Sequence, residues 1–307
     1  MNYGVAVMKS TLLICRGFLS ICVLLVAAMP GLSSAADTLA KIRENQAITF
    51  AYLQAAPFSY TTEDNRVNGY AIDLCLKIAS AVKKELKLPN LKIQYLPVDS
   101  VSRFSSIMEG KADIECGATT NTAERRNRVS FTIPHFFSSV RMIVKKNKGI
   151  RNWQDLKGKT IVTTKNATTL DLVNARSNVR ALNIKLLEGQ DHEVSFNLVE
   201  KEQADAFAMD DVLLYSLRAK AKNPDDFIIV GDPLSVEPYS LMLRKDDVAF
   251  KNLVDREMMR LITDGEFEKL YKDWFTKPIN NKQMNLAMPM GFLLRDSIRF
   301  PSDKTAD

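Results

Sequence analysis

Residues 111–132 read KADIECGATTNTAERRNRVSFT. Ala112 to Cys116 has the apolar character of a buried strand, Gly117 and Ala118 form a small-residue turn, and Thr119 and Thr120 supply two hydroxyls ahead of a helix. Asn121, followed three residues later by Glu124, has the capping-box pattern. That sets Arg125 in the first helical turn, beside free backbone N–H groups. Hydroxyls, amides and a guanidinium fork at one point suit a bound carboxylate. The same residues also fit an ordinary capped helix with a solvated arginine, so the flanking sequence has to decide.

Upstream, a short helix at 38–45 precedes a strand at 48–53 and a loop at 54–60 that contains AAPFSY. A long amphipathic helix is expected over 71–86, because Ile72, Leu76, Ile78, Ala79 and Val82 recur at helical spacing; Pro89 ends it. A strand at 91–98 and a short helix at 101–109, closed by Gly110, lead into the quoted stretch. This β-α-β-α-β alternation is that of a parallel sheet with crossover helices.

After a strand at 140–144 and the polar turn around DLKGK, the alternation starts afresh. Strands are expected at 160–164, 183–187, 204–209 and 227–230, with helices at 169–176, 194–202 and 212–221 between them. The chain therefore reads as two α/β units in tandem. One more strand at 239–243 is followed by a helical end at 250–275, broken at Asp264 and Gly265. The tail after Pro278 reads as loosely packed or disordered, although its apolar part, 286–294, could dock on the body.

The N-terminus reads as a secretory leader. Lys9 and Arg16 are the charges ahead of Asp37, an apolar run at 17–29 is too short to span a bilayer, and Ser34 and Ala36 fit a signal-peptidase site. Cleavage near Ala36 gives a soluble, exported protein. Removing two basic residues and no acid lowers the formal charge from +6 to +4, without a dense basic stripe for nucleic acid, while mild positive potential suits an anionic ligand. Cys75 and Cys116 remain: an oxidising compartment permits a disulfide, and two buried free thiols are the favoured reading.

In open α/β sheets ligands bind beyond the carboxyl ends of the strands. Arg103, Arg125 and Asp210 fall there with His192, which can add a positive charge, and with the hydroxyls of Ser100, Thr119, Thr120, Thr164, Thr168 and Tyr52. Two arginines for two carboxylates and one aspartate for an ammonium match an acidic amino acid and leave a closed site near neutral. Asp211 reads as a helix cap. The sequence lacks G-x-S-x-G, H-E-x-x-H, P-loop and G-x-G-x-x-G patterns, and its two histidines have no metal-ligand spacing. No catalytic residue, metal or cofactor is assigned.

The motifs APFSY, ECGATTNTAERR, DLKGK, DHEVSF, DAFAMDDVLL, AKAKNPDD, MLRKDD and YKDWF together resemble the periplasmic solute-binding proteins of polar amino-acid ABC transporters, most closely those for glutamate and aspartate. The resemblance covers Thr38 to about Asn285. It implies a type II periplasmic binding protein fold: α/β, two lobes joined by two hinge strands, closing on ligand. Lobe 1 would comprise 37–139 plus 240–279, lobe 2 143–237, and 280–307 a C-terminal tail. By the same resemblance Arg125 pairs with the ligand α-carboxylate, helped by Thr120, Thr164 and Thr168. Asp210 takes the ammonium, and Ser100, Arg103 and His192 hold the side-chain carboxylate. The partner implied is an inner-membrane ABC permease, and the protein is expected to be a monomer.

Two departures bear on the ligand. Tyr52 stands where acidic-specific members carry another arginine, and Ala118 where they carry a serine; Lys165, at a small-residue position, could restore the cation. The resemblance also admits the same role with another polar amino acid, or an enzyme similar to the cyclohexadienyl dehydratases on the same fold.

Overall fold

The alternation of strands and helices resolves into two sheets in a computed structural model that describes residues 37–278 and 286–304. The expected leader, 1–36, lies outside the described residues. The first half runs α1 (Thr38–Asn45), β1 (Ala47–Tyr52), β2 (Tyr60–Thr61), β3 (Val67–Asn68), α2 (Tyr70–Leu86), β4 (Lys92–Pro97), α3 (Ser102–Met108), β5 (Ile114–Thr120), α4 (Ala123–Arg126), β6 (Val129–Phe131) and β7 (Phe136–Ser138). It continues with β8 (Val140–Lys145), β9 (Thr160–Thr164), α5 (Thr169–Arg180), β10 (Lys185–Gly189), α6 (His192–Glu200), β11 (Ala206–Asp210), α7 (Asp211–Lys220) and β12 (Phe227–Val230). It closes with β13 (Glu237–Arg244), α8 (Val248–Thr263), α9 (Glu266–Phe275) and α10 (Phe292–Arg299).

The first sheet has the order β4-β1-β5-β13-β6, with β7 also on β13; the second has the order β10-β9-β11-β8-β12. β1 lies parallel to β4 and β5, and β9 parallel to β10 and β11, as crossover helices require. The sheets are nonetheless mixed. β13 returns antiparallel to β5, and β8 runs antiparallel to β11. Both are strands by which the chain passes from one sheet to the other, after Ser138 and again between Val230 and Glu237. A strand arriving that way carries no helical crossover to make it parallel.

The return of β13 also changes the reading of the central stretch. Pairing of Ser240 with Thr119 and Tyr239 with Thr120 carries β5 through Gly117 and Ala118, where a turn was expected. Asn121 extends that ladder, its N–H bonding Pro238 O at 2.8 Å, and so does not cap the helix. Thr122 does, its Oγ1 accepting from Arg125 N at 3.2 Å.

The main core lies between the first sheet and α2, α8 and α9, with Phe50, Phe58, Tyr70, Phe267 and Phe275 buried together. Gly69 permits the entry into α2: its φ is +143°, and a Cβ there would collide with Phe58 O. The carbonyls of Pro57 and Phe58 then accept the N–H groups of Tyr70 and Ala71. Cys75 of α2 and Cys116 of β5 form a disulfide, so the expected free thiols are corrected: their Cα atoms face each other across the buried helix–sheet layer at 6.2 Å.

The expectation of a loosely packed tail is also corrected for residues 286–304. Met288 N bonds Phe275 O at 2.8 Å, Leu294 of α10 is buried in the main core, and Lys251 pairs with Asp303 at 3.0 Å. Leu294, in the apolar part expected to dock, is the residue of α10 that is buried.

Candidate functional site

The ends of β5, β9 and β11 and the N-terminal part of α3 bring the polar residues together. α3 sets Arg103 beneath the end of β5, where its Nη1 donates to Thr119 Oγ1 at 2.8 Å; its Nε is buried without a hydrogen-bond partner. Burial pulls the Arg103 pKa down while the Glu115 carboxylate opposes the shift. α4 sets Arg125 nearby, and both guanidinium carbons lie over the Phe104 ring, at 5.1 Å for Arg103 and 5.4 Å for Arg125.

Arg125 bridges the two sheets. Its Nη1 donates to Thr120 O at 3.0 Å, and its Nη2 to Asn166 O, in the loop after β9, at 3.1 Å. Burial, then the like charge of Arg103, lowers its pKa to about 10, which leaves it cationic at neutral pH. A groove lined by Phe104, Thr120, Arg125, Thr168 and Glu237 lies against it.

Asp210 ends β11. Its Oδ2 accepts from the Tyr239 hydroxyl, and its Oδ1 is buried with no hydrogen-bond partner among the described residues. Burial, then the neighbouring Glu237 carboxylate, raises its pKa to about 8. Glu237 itself is satisfied: Oε2 accepts from Thr168 Oγ1 at 2.9 Å and Oε1 from Ser235 Oγ at 2.6 Å.

His192 begins α6, and its Nδ1 lies 2.9 Å from Thr164 Oγ1, which in turn lies 3.1 Å from Ser195 Oγ. Burial, then Arg103, lowers the His192 pKa to about 4. The expectation that His192 adds a positive charge is therefore corrected: at neutral pH it is an uncharged hydrogen-bonding group. Ser100 Oγ reaches across to Gln190 O at 3.2 Å, and Gln190 Nε2 donates to Asp99 Oδ2 at 3.2 Å.

Most of the sequence-read residues thus converge. Arg103, Arg125, Asp210, Thr119, Thr120, Thr164, Thr168 and His192 belong to one hydrogen-bonded and electrostatically coupled group, while the Ser100 hydroxyl is taken by Gln190 O. Tyr52 does not join it: its hydroxyl lies 3.0 Å from Thr61 Oγ1, and its ring packs edge-on against Tyr95. Ala118 is half-buried and contributes apolar contact. Lys165 is exposed, its backbone N–H held by Gly189 O, and it brings no cation into the group.

Three buried residues were missed: Glu115, Glu237 and Tyr239. Glu115 carried a signal, since it is a charged residue inside an otherwise apolar strand, two positions from a glycine on the same face. Glu237 and Tyr239 gain their places from β13 crossing beside the cleft, which local sequence does not reveal.

Comparison with known proteins adds an independent line. The profile of bacterial extracellular solute-binding proteins, family 3, matches residues 48–277. An L-glutamate/L-aspartate-binding protein of Pseudomonas aeruginosa is 43% identical over 289 residues, 92% of this chain and 96% of its own length. A glutamate/aspartate import solute-binding protein of Escherichia coli is 37% identical over 290 residues, 92% of this chain and 96% of its own. Among solved structures, an ancestral amino-acid-binding protein described as a precursor of cyclohexadienyl dehydratase superposes with a TM-score of 0.65 at 24% identity. It covers 78% of this chain and 99% of its own, a likeness of fold. With its two lobes of mixed sheet flanked by helices, the chain has the type II periplasmic binding protein fold and belongs to the bacterial extracellular solute-binding proteins, family 3.

Proposed function

We propose that this protein captures an acidic amino acid, glutamate or aspartate, by closing its two lobes, and delivers it to an ABC permease in the inner membrane. The observation that carries the reading is the convergence of two buried guanidiniums, Arg103 and Arg125, with a buried carboxyl, Asp210, whose second oxygen has no partner among the described residues. Two cations answer two ligand carboxylates, and the free oxygen answers an ammonium. The 43% identical relative is named for the same two ligands.

In this reading Arg125 and Thr120 hold the α-carboxylate, with Thr164 and Thr168 alongside; Thr168 joins only by leaving Glu237. Asp210 takes the ammonium, and its proton leaves as the cation arrives. Ser100, Arg103 and His192 hold the side-chain carboxylate. The hinges are the two passages between sheets, which separate lobe 1 (37–139 plus 240–279) from lobe 2 (143–237). The protein is exported to the periplasm after cleavage near Ala36, acts as a monomer, and performs no chemistry.

The test is a thermal-shift screen of the mature protein, unfolded and refolded to strip carried-over ligand, against each amino acid. A ligand that binds only the native state raises stability by RT ln(1 + [L]/Kd). Shifts with glutamate and aspartate are expected; shifts confined to neutral amino acids would contradict the acidic assignment while keeping the transport role.

One observation favours a second reading. With a pKa of about 8, Asp210 holds a proton at neutral pH in the ligand-free site, as a general acid must. A dehydratase would release an aromatic product from a cyclohexadienyl substrate, and its absorbance would appear on incubation with the protein. Stoichiometric amino-acid binding without turnover is the expected outcome.

A further inference from the structure

Two guanidiniums and three carboxyl groups are buried around the cleft. Arg103 and Arg125 are the cations; Asp210, Glu237 and Glu115 are the acids. The acids differ in how they are held. Asp210 accepts from Tyr239, and Glu237 accepts from Thr168 and Ser235. Glu115 is fully buried; among the described residues neither of its carboxyl oxygens is in direct hydrogen-bonding range of a partner, and the Thr119 hydroxyl is the one side-chain donor close enough to lower its pKa. An ionised carboxylate in that position is costly unless a neighbouring cation offsets it.

Its place in β5 shows which cation does so. Glu115, Gly117 and Thr119 alternate onto one face of the strand. Gly117 leaves the room: a Cβ there would overlap Glu115 Oε1. Thr119, next on that face, accepts from Arg103. Arg103 is the leading charge acting on Glu115, with Arg125 behind it, and Glu115 is the leading charge acting on Arg103. Two further charged residues lie along the same face: Asp113, two residues before Glu115 and paired with Lys41 at 2.8 Å, and Arg244 of β13, two residues after Met242. Neighbouring β1 and β13 place Ala51 and Met242 opposite Glu115, and the loop after β1 places Ser59 near Gly117. His135, between β6 and β7, bonds Gly117 O and is kept neutral by burial, with a pKa of about 3.

We propose that Glu115 is a charge-compensating specificity residue: it is ionised while it faces Arg103 alone, and takes up a proton when the distal carboxylate of an acidic ligand joins Arg103. The proton comes from solvent and adds to a Glu115 carboxyl oxygen; no other bond changes. With Glu115 ionised, the ligand-free cleft can bury Arg103. With Glu115 protonated, the loaded cleft buries one negative charge fewer. A ligand with a neutral distal group leaves Glu115 ionised and Arg103 directed at it. Burial already raises the affinity of Glu115 for a proton, and Arg103 opposes that. The inference rests on the acidic-ligand reading of the same site.

The test is calorimetric titration of ligand-stripped mature protein with glutamate at one pH near 7.5, in phosphate and in Tris, which separates proton exchange from the heat of binding. Proton release by Asp210 is common to both proteins compared. The unaltered protein is expected to take up about one proton more per glutamate than Glu115→Gln does. Equal proton counts with glutamate bound by both would overturn the inference and leave the acidic-ligand reading intact; absence of glutamate binding to the unaltered protein would overturn both. Should Glu115→Gln fail to fold, carbon-13 NMR of glutamate-labelled, unaltered protein decides. The Glu115 carboxyl should titrate at higher pH once glutamate is added, and an unmoved midpoint overturns the inference.

Discussion

Tyr239 donates its hydroxyl to Asp210 Oδ2, and both side chains are buried. Tyr239 lies in β13 of the first sheet and Asp210 at the end of β11 in the second, so the bond joins the two sheets. It fixes one carboxyl oxygen and leaves the other without a partner among the described residues. Tyr239→Phe removes this single hydrogen bond while keeping the ring and its packing. Amino-acid affinity is expected to fall about 5- to 10-fold, in line with one net hydrogen bond. Calorimetry checks it, and an unchanged Kd would mean the bond has no part in presenting the carboxyl.

Asp210 and His135 give the ligand-free protein opposing pH dependences. The Asp210 pKa rises from 3.8 to about 8 on folding, so its contribution to stability is full below pH 3.8 and is lost as pH rises through about 8. The His135 pKa falls from 6.5 to about 3, so its contribution is full above pH 6.5 and is lost as pH falls towards 3. Asp210→Asn is expected to flatten the decline of stability between pH 4 and 8, and His135→Gln the decline below 6.5. Urea midpoints measured against pH, without ligand, check both slopes.

The disulfide joins residues 41 apart in sequence. Closing a loop of that length in the unfolded chain stabilises the fold by about 4 kcal/mol in the chain-entropy account. The double variant Cys75→Ser/Cys116→Ser is expected to lose a large part of that in denaturant unfolding while still binding ligand. A midpoint equal to that of the oxidised protein would contradict the assignment.

Tyr52 stands at a position where the resemblance leads to the expectation of an arginine, yet its hydroxyl is engaged by Thr61. Tyr52→Phe is therefore expected to leave the affinity for glutamate within about threefold, since no bond to the group at Arg103 and Arg125 is lost. A loss of tenfold or more would place the phenol among the ligand contacts.

How much of this was legible in the sequence follows from how local each cause is. The apolar spacing of Ile72, Ile78 and Val82 announced α2 because helical burial repeats within one segment. Arg103, Arg125 and Asp210 could be placed at one edge because strand ends of an α/β sheet point the same way. The extension of β5, the move of the cap from Asn121 to Thr122, and the places of Glu237 and Tyr239 all depend on β13, which arrives more than a hundred residues later. His192 was counted as a possible cation because its identity was visible while its burial beside Arg103 was not.

In the proposed function the buried Arg103 and Arg125 select a ligand with two carboxylates. The most direct measurement is the ratio of Kd values for glutamate and glutamine on the stripped mature protein, which differ by one distal carboxylate. Glutamate is expected to bind about 100-fold more tightly, the scale of one or two charge-assisted bonds, and Arg103→Gln to remove most of that preference. Glutamine binding as tightly as glutamate, or a preference unchanged in Arg103→Gln, would contradict the account.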